Sequence, residues 1–303
     1  MIVIERLSNC SLTDVLDAWN NGFKGYYTDM TMTIDRFLQR MVQEGFSADD
    51  SIVAFVNRVP AGIVLNGFRN VEGKLIGYNG GTAVAPEFRR MGVGKRMMEA
   101  VIDLYKQKGV DEAHLEAIHD NHAAIKLYES LGYSTSDRVF FLQQQGPIRV
   151  QPKKLDPLWA FETKAPHFVQ HLDFYDCSGP WQTQWQSVGN GDALVVSENG
   201  RDIGYGLYRK VYDPYGMLST IVLHQIEVNS STEKREALID TLLHKIFEPT
   251  ASCKRLVINL SNQKRETFEA IRRLGFSTMV EQVCMNMGIK ESIKPNATRI
   301  REL

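Results

Sequence analysis

The five residues Leu131-Gly132-Tyr133-Ser134-Thr135 return as Leu274-Gly275-Phe276-Ser277-Thr278, at an offset of 143. Around both copies the apolar spacing reads alike, with a helix before the match and a strand after it. A five-residue echo alone carries little. Agreement of element order on both sides makes an internal duplication, and two like units are then the simplest architecture. At 303 residues there is room for both. The polar, breaker-rich stretch Gln143-Gln144-Gln145-Gly146-Pro147 marks the joint, so the expected domains are 1–146 and 147–303.

Within the first copy, Leu12 to Phe23 and Ile34 to Glu44 show helical spacing, the second behind Thr33 as a cap. Strands are expected at the start of the chain and over Ser51–Val56, Ala61–Phe68 and Lys74–Val84. A helix Lys95–Gln107 stopped by Gly109, a strand His114–Ile118, a helix His122–Leu131 and a strand Val139–Gln143 follow. From Leu194 the same order returns, ending in a strand that runs to Met287. The aromatic stretch Trp159–Trp185 has no readable period. The fold class is therefore α/β (α+β): two units, each a mixed sheet flanked by helices.

Composition narrows the function classes. With 43% hydrophobic and 23% charged residues the chain is that of a globular protein with a core. A net charge of -1 speaks against a general nucleic-acid or acidic-membrane binder. Met1-Ile2-Val3-Ile4-Glu5-Arg6 reads as a first strand, not a signal peptide, and no apolar run approaches a membrane span. The 4 cysteines are scattered without a Cys-x-x-Cys, which fits a reducing cytosol and no thiolate metal site. His167 and His171 stand at a zinc-compatible spacing, but no carboxylate or cysteine completes a set, so no metal is expected. The equally spaced Trp181 and Trp185 read as core.

Chemistry concentrates in Val84-Ala85-Pro86-Glu87-Phe88-Arg89-Arg90-Met91-Gly92-Val93-Gly94-Lys95. A strand ends, a short loop turns, and a helix begins at two glycines. Amides at a helix start lack intrahelical partners and lie at the positive end of the helix dipole. Glycines let an anion approach that backbone, while Arg89, Arg90 and Lys95 add positive charge. The loop lacks the Gly-Lys-Ser/Thr ending of a Walker loop and the third glycine of a Rossmann fingerprint.

Arg89-x-x-Gly92-x-Gly94 resembles motif A of the GNAT acetyltransferase family, Arg/Gln-x-x-Gly-x-Gly/Ala. Asn121-His122-Ala123-Ala124-Ile125-Lys126-Leu127-Tyr128-Glu129-Ser130-Leu131-Gly132-Tyr133 resembles its motif B. The resemblance covers the first half of the chain. It implies a twisted, mainly antiparallel sheet that splays to admit acetyl-CoA as co-substrate, with no metal. It further implies that Val84 and Ala85 pair with the pantetheine arm as an added strand. Arg89, Arg90, Met91, Gly92, Val93, Gly94 and Lys95 would hold the diphosphate, and Asn121 would contact the arm or cap its helix.

The implied activity is transfer of an acetyl group to a primary amine of a small molecule or peptide N-terminus. An ammonium has no lone pair, so the reaction needs a base as well as a proton donor for the leaving thiolate. Tyr128 matches the family's donor. Glu116, in Leu115-Glu116-Ala117-Ile118, is similar to the base glutamate of the ribosomal-protein N-terminal acetyltransferases. The family's other base position is missing, because Leu75-Ile76-Gly77-Tyr78-Asn79-Gly80-Gly81-Thr82 carries no carboxylate. Glu116, His119, or waters held by Tyr78 and Asn79 therefore stay open as routes for the proton.

The acceptor wall implied by the family is Trp19, Phe23, Tyr26, Tyr27, Asp29, Met30 and Met32, with Asp29 attracting a cation. In the second copy Glu116, Asn121 and Tyr128 become Asn259, Lys264 and Ile271, and no glycine stands between Val228 and Glu236. Glu233 and Glu236, expected in the first helical turn there, oppose a phosphate. The second copy thus reads as a degenerate GNAT-like domain without CoA, covering the first domain's sheet or helping to form the acceptor cleft. The rival reading is a non-catalytic CoA-binding or interaction protein. The oligomeric state stays open.

Overall fold

The structure, a computed structural model, describes residues 1–148 and 156–289. Local chemistry sets the elements of the first half. Strand β1 (Ile2–Arg6) leads into helix α1 (Leu12–Gly22), where the Ser11 hydroxyl accepts from the Asp14 N–H at 3.1 Å. Helix α2 (Ile34–Glu44) starts at Thr33 and stops at Gly45, which takes the left-handed conformation. Strands β2 (Ile52–Val56) and β3 (Val59–Val71) form a hairpin. Its two turn residues, Asn57 and Arg58, both have positive φ, matching the strand twist. Strand β4 (Lys74–Val84), helix α3 (Val93–Lys108), strand β5 (Glu112–Ile118), helix α4 (His122–Ser130) and strand β6 (Ser134–Gln145) complete this half.

The second half holds β7 (Trp159–Lys164), a short α5 (Trp185–Val188), β8 (Asp192–Glu198), β9 (Arg201–Tyr212) and β10 (Leu218–Val228). It ends with α6 (Arg235–Phe247), β11 (Lys254–Ser261), α7 (Arg265–Arg273) and β12 (Ser277–Gly288). Helix α6 starts at Arg235, so Glu233 lies before it and only Glu236 stands in its first turn. The unread aromatic stretch is β7, α5 and two 3-10 turns, Pro166–His171 and Trp181–Thr183.

All twelve strands join one mixed sheet in the order β1-β2-β3-β4-β5-β12-β6-β11-β10-β9-β8-β7. Among the described residues the parallel pairs are β4 with β5 and β10 with β11. The centre is an exchange: β12 lies between β5 and β6, and β6 lies between β12 and β11. Its register reflects the duplication. Ser134 pairs with Asn286 while its repeat mate Ser277 pairs with Gln143, the mate of Asn286.

Helices α3 and α4 cover one face of the first half's strands, burying Val93, Met97, Val101 and Tyr128. On the other face α1 and α2 bury Trp19, Phe23, Phe37 and Met41, and that core is completed by Trp181 from the second half. The exchange and this inserted tryptophan bring residues of both halves to one place on β4 and β5.

Candidate active site

Strands β4 and β5 pair only from Ile76–Asn79 to Glu112–Leu115, and beyond that point they part. Gly80 causes the change of course. It is skipped in the β3–β4 register, where Leu65 pairs with Gly81 and Asn66 with Asn79. A Cβ there would stand 2.0 Å from Phe46 Cζ, so only glycine fits. The gap between the strands is the splay that the family resemblance implies.

At the end of β4 the loop enters α3 through Gly92, with φ of 82°, and through Arg90, also left-handed at 63°. No side chain caps the first turn of α3 and no acidic residue stands in it. A Cβ on Gly94 would lie 3.5 Å from Val84 and Leu127, in ordinary contact. The uncapped amides and the cations Arg90 and Lys95 fit a diphosphate. Arg89 does other work. Its guanidinium donates to the carbonyls of Val84 (2.9 Å), Gly22 (3.2 Å) and Lys24 (3.2 Å), tying the loop to the end of α1. Met91 is exposed and Val93 is buried in the core.

The corresponding place in the second half does not fit such a group. Arg235 donates to Val228 O and Asn229 O. Lys264, the counterpart of Asn121, is ion-paired to Glu227 at 2.7 Å and Asp176 at 2.9 Å. Ile271, the counterpart of Tyr128, is fully buried in apolar core.

A cavity of about 440 Å³ opens at the β4–β5 gap and gathers Glu116, Tyr128, Asn121, Tyr26, Tyr78 and Asn79. Phe23 and Met30 form an apolar wall, and the second half adds Gln182, Ile258 and Gln282. Tyr78 donates to Glu116 Oε2 at 2.5 Å. Burial pushes the Glu116 carboxyl from 4.5 up to about 7; the Tyr78 hydrogen bond opposes the rise and the Glu44 carboxylate adds to it. Burial also raises the Tyr128 hydroxyl, against a hydrogen bond from Thr82. Burial and the Tyr128 phenol push Tyr26 up to about 12, against the Asn121 amide. Asn121 caps α4, accepting from Ala124 N–H at 3.3 Å.

Five expected residues lie elsewhere. Tyr27 is exposed and donates to Asp120 O at 3.0 Å. Asp29 is spent on its own turn, accepting from Thr31 N–H at 2.9 Å, and does not line the cavity. His119 faces Glu281 and Arg138 outside it. Trp19 is core, its indole donating to Met30 O at 2.8 Å, and Met32 is clamped by the Asn20 side chain. The carboxylate that does line the cavity beside Glu116 is Glu44, missed because the last residue of an amphipathic helix reads as solvated. Gln182 was missed too, in a stretch without period. Among the described residues no group of three or more His, Cys, Asp or Glu could hold a metal ion. No described helix is long and apolar enough to cross a membrane.

Residues 13–133 match the model of the Acetyltransferase (GNAT) family, and the first half of the chain belongs to that family. Taken whole, the chain has the fold of a tandem member: a tandem GNAT protein from the clavulanic acid biosynthesis pathway superposes with a TM-score of 0.63 at 12% identity, covering 96% of this chain and 100% of that one. By sequence it is similar to N-alpha-acetyltransferase 30 of Saccharomyces cerevisiae, 35% identical over 85 residues (27% of this chain, 47% of that protein). It is also similar to the [ribosomal protein bS18]-alanine N-acetyltransferase of Salmonella typhimurium, 42% identical over 66 residues (21% and 45%). The chain spans less than half the length of either curated relative.

Proposed function

We propose that this protein is an acetyl-CoA-dependent N-acetyltransferase acting on a primary amine, of a small molecule or a peptide N-terminus. Residues 1–146 carry the catalytic machinery and 147–303 form a silent copy that walls the acceptor side. Acetyl-CoA supplies an activated acetyl thioester, and the residues suited to hold it are Val84, Ala85, Arg90, Met91, Gly92, Val93, Gly94 and Lys95. Arg89 braces that loop. Glu116 takes the proton from the acceptor ammonium, leaving a neutral amine for direct attack. Tyr128, on the same cavity, donates a proton to the departing sulfur.

One observation carries the reading: a carboxyl raised to about 7 stands in the cavity at the parted end of β4 and β5, with Tyr128 on its wall. The wall of Phe23, Tyr26 and Met30 beside Glu44 and Glu116 suits a partly apolar cation. Similarity to an N-alpha-acetyltransferase and to a [ribosomal protein bS18]-alanine N-acetyltransferase supports a peptide amine among the candidate acceptors.

The test is calorimetric titration with acetyl-CoA, followed by thiol release across a panel of amines and short peptides. We expect binding and acceptor-dependent release, with Tyr128→Phe slowing turnover roughly 10- to 1,000-fold at unchanged acetyl-CoA affinity. No binding overturns the proposal. Binding without release for any amine favours a non-catalytic CoA-binding protein instead.

A further inference from the structure

We infer that the second half takes part in the reaction through Gln182, a positioning residue that turns the Tyr78 hydroxyl onto the Glu116 carboxylate; this rests on the reading of Glu116 as the base. Three hydrogen bonds run in line from the silent copy to that carboxylate. The Asn259 amide donates to Gln182 Oε1 at 2.6 Å. Gln182 Nε2 donates to the Tyr78 hydroxyl oxygen at 2.6 Å, and Tyr78 donates to Glu116 Oε2 at 2.5 Å. A phenol has one proton to give and lone pairs to receive with. With an amide N–H already on its oxygen, Tyr78 has its proton free for Glu116 alone.

The surroundings fix this direction. The Trp181 indole stacks on the Tyr78 ring at 4.6 Å and 7°, and its N–H donates to Glu44 O at 2.8 Å. Arg69 lies over the indole at 3.7 Å and donates to Trp181 O. The His224 ring nitrogen Nδ1 donates to Gln182 O at 2.8 Å. The 3-10 turn Trp181–Thr183 thus grips both the ring and the hydroxyl of Tyr78.

The duplication gives the relay its origin. Asn259 occupies the position of Glu116 in the second copy, in a left-handed conformation at a bulge of β11. The silent copy has an amide where the working copy has its carboxylate, and that amide reaches through Gln182 to the carboxylate itself.

Other titratable groups face Glu116 or Tyr78. Glu44 and Arg40 come from α2, Cys284 lies across from it on β12, and Asp137 on β6 neighbours Cys284. Glu44 and Arg40 also act through space on the Tyr78 phenol, but every variant leaves these four groups in place, so their contribution is common to all the backgrounds compared.

The experiment uses the full chain and near-isosteric variants. The Glu116 carboxyl is followed by carbon-13 NMR from pH 5 to 9, assigned with Glu116→Gln. Gln182→Met should raise its midpoint by about one pH unit, because a hydrogen bond that favours the carboxylate weakens. Acetyl-CoA affinity should stay within about twofold, while kcat/KM at neutral pH falls about tenfold. The Gln182 amide also favours the Glu116 carboxylate directly, so in a Tyr78→Phe background the same substitution should move the midpoint clearly less than it does with Tyr78 present. An unmoved midpoint in the single variant, or an equal shift in both backgrounds, overturns the inference. If Gln182→Met does not fold, Asn259→Leu serves, since a neutral side chain of like size removes the donor that holds Gln182 Oε1 and adds no charge near Glu116; an upward shift is expected, and none refutes the relay. The titration needs no acceptor. A pH–rate limb that survives Glu116→Gln would remove the base assignment, and the NMR midpoints would still decide the role of Gln182.

Discussion

Glu116 is held at a cost that can be measured. Its carboxyl titrates at about 7 in the fold against 4.5 ordinarily, with burial as the main cause. Between these values the folded protein keeps a proton that the unfolded chain has already lost. Stability therefore falls as pH rises through this window, and below about pH 4.5 the penalty is gone. Glu116→Gln has the same shape and carries no charge. We expect it to stabilise the protein by about 1–3 kcal/mol at pH 8, with no gain at pH 4, as read by thermal denaturation at both pH values. Its kcat/KM should fall by about 10²–10⁴. A variant no more stable than the parent at pH 8 would show that the carboxylate is well solvated, and so a poor candidate for a base tuned by burial. Tyr78 has the opposite part at this scale, since its hydrogen bond lowers the Glu116 midpoint and keeps the carboxylate populated near neutrality.

The decisive element is β4, and its bulge joins sheet geometry to the cavity. At Gly80 an added Cβ would meet the Phe46 ring, which is buried and stacks near Tyr78 at 6.2 Å. Gly80→Ala should cost about 1–3 kcal/mol through overpacking and should depress turnover as well, measured by urea denaturation and thiol release. A neutral effect on both would mean that the bulge absorbs a side chain freely. Elements with local punctuation were legible from sequence. Helix α2 keeps its bounds because Thr33 and Gly45 flank it, and α3 ends at Gly109 for the same reason. The glycine-started helix and the Asn121–Tyr128 spacing were legible as well, because both are local patterns. What the sequence hid is non-local. Tyr78 and Gln182 touch across 104 residues, and the Trp159–Trp185 stretch takes its shape from groups on the first half such as Arg69 and Glu44. Asp29 looked like a site residue because its loop is aromatic, but a turn hydrogen bond claims it.

For the molecule as a whole, the exchange of β6 and β12 binds the halves into one sheet, although the duplication suggests two separable units. An alternating strand pattern fits β6 equally well beside its own half's strands or the other's, so sequence could not choose between them. Arg255 strengthens the joint. Fully buried, it donates to the carbonyls of Gly146, Phe247, Glu248, Ala251 and Cys253 and to Gln144 Oε1. It thereby ties the end of the first half to the end of α6. Cutting the chain after residue 146 would remove β12 from between β5 and β6 and β11 from the far side of β6, so three strand edges would stand open. Residues 1–146 alone are therefore expected to aggregate on purification, despite carrying the whole glycine loop and Tyr128. Co-expression with 147–303 should return a soluble pair that elutes together on gel filtration and binds acetyl-CoA. The same coupling predicts one cooperative thermal transition for the intact chain, since neither sheet half is complete without a strand from the other. If 1–146 is instead soluble, monomeric and competent to bind acetyl-CoA, β12 is a dispensable neighbour, and the second copy acts on the first half through side-chain contacts such as those of the Trp181–Thr183 turn and Ser187.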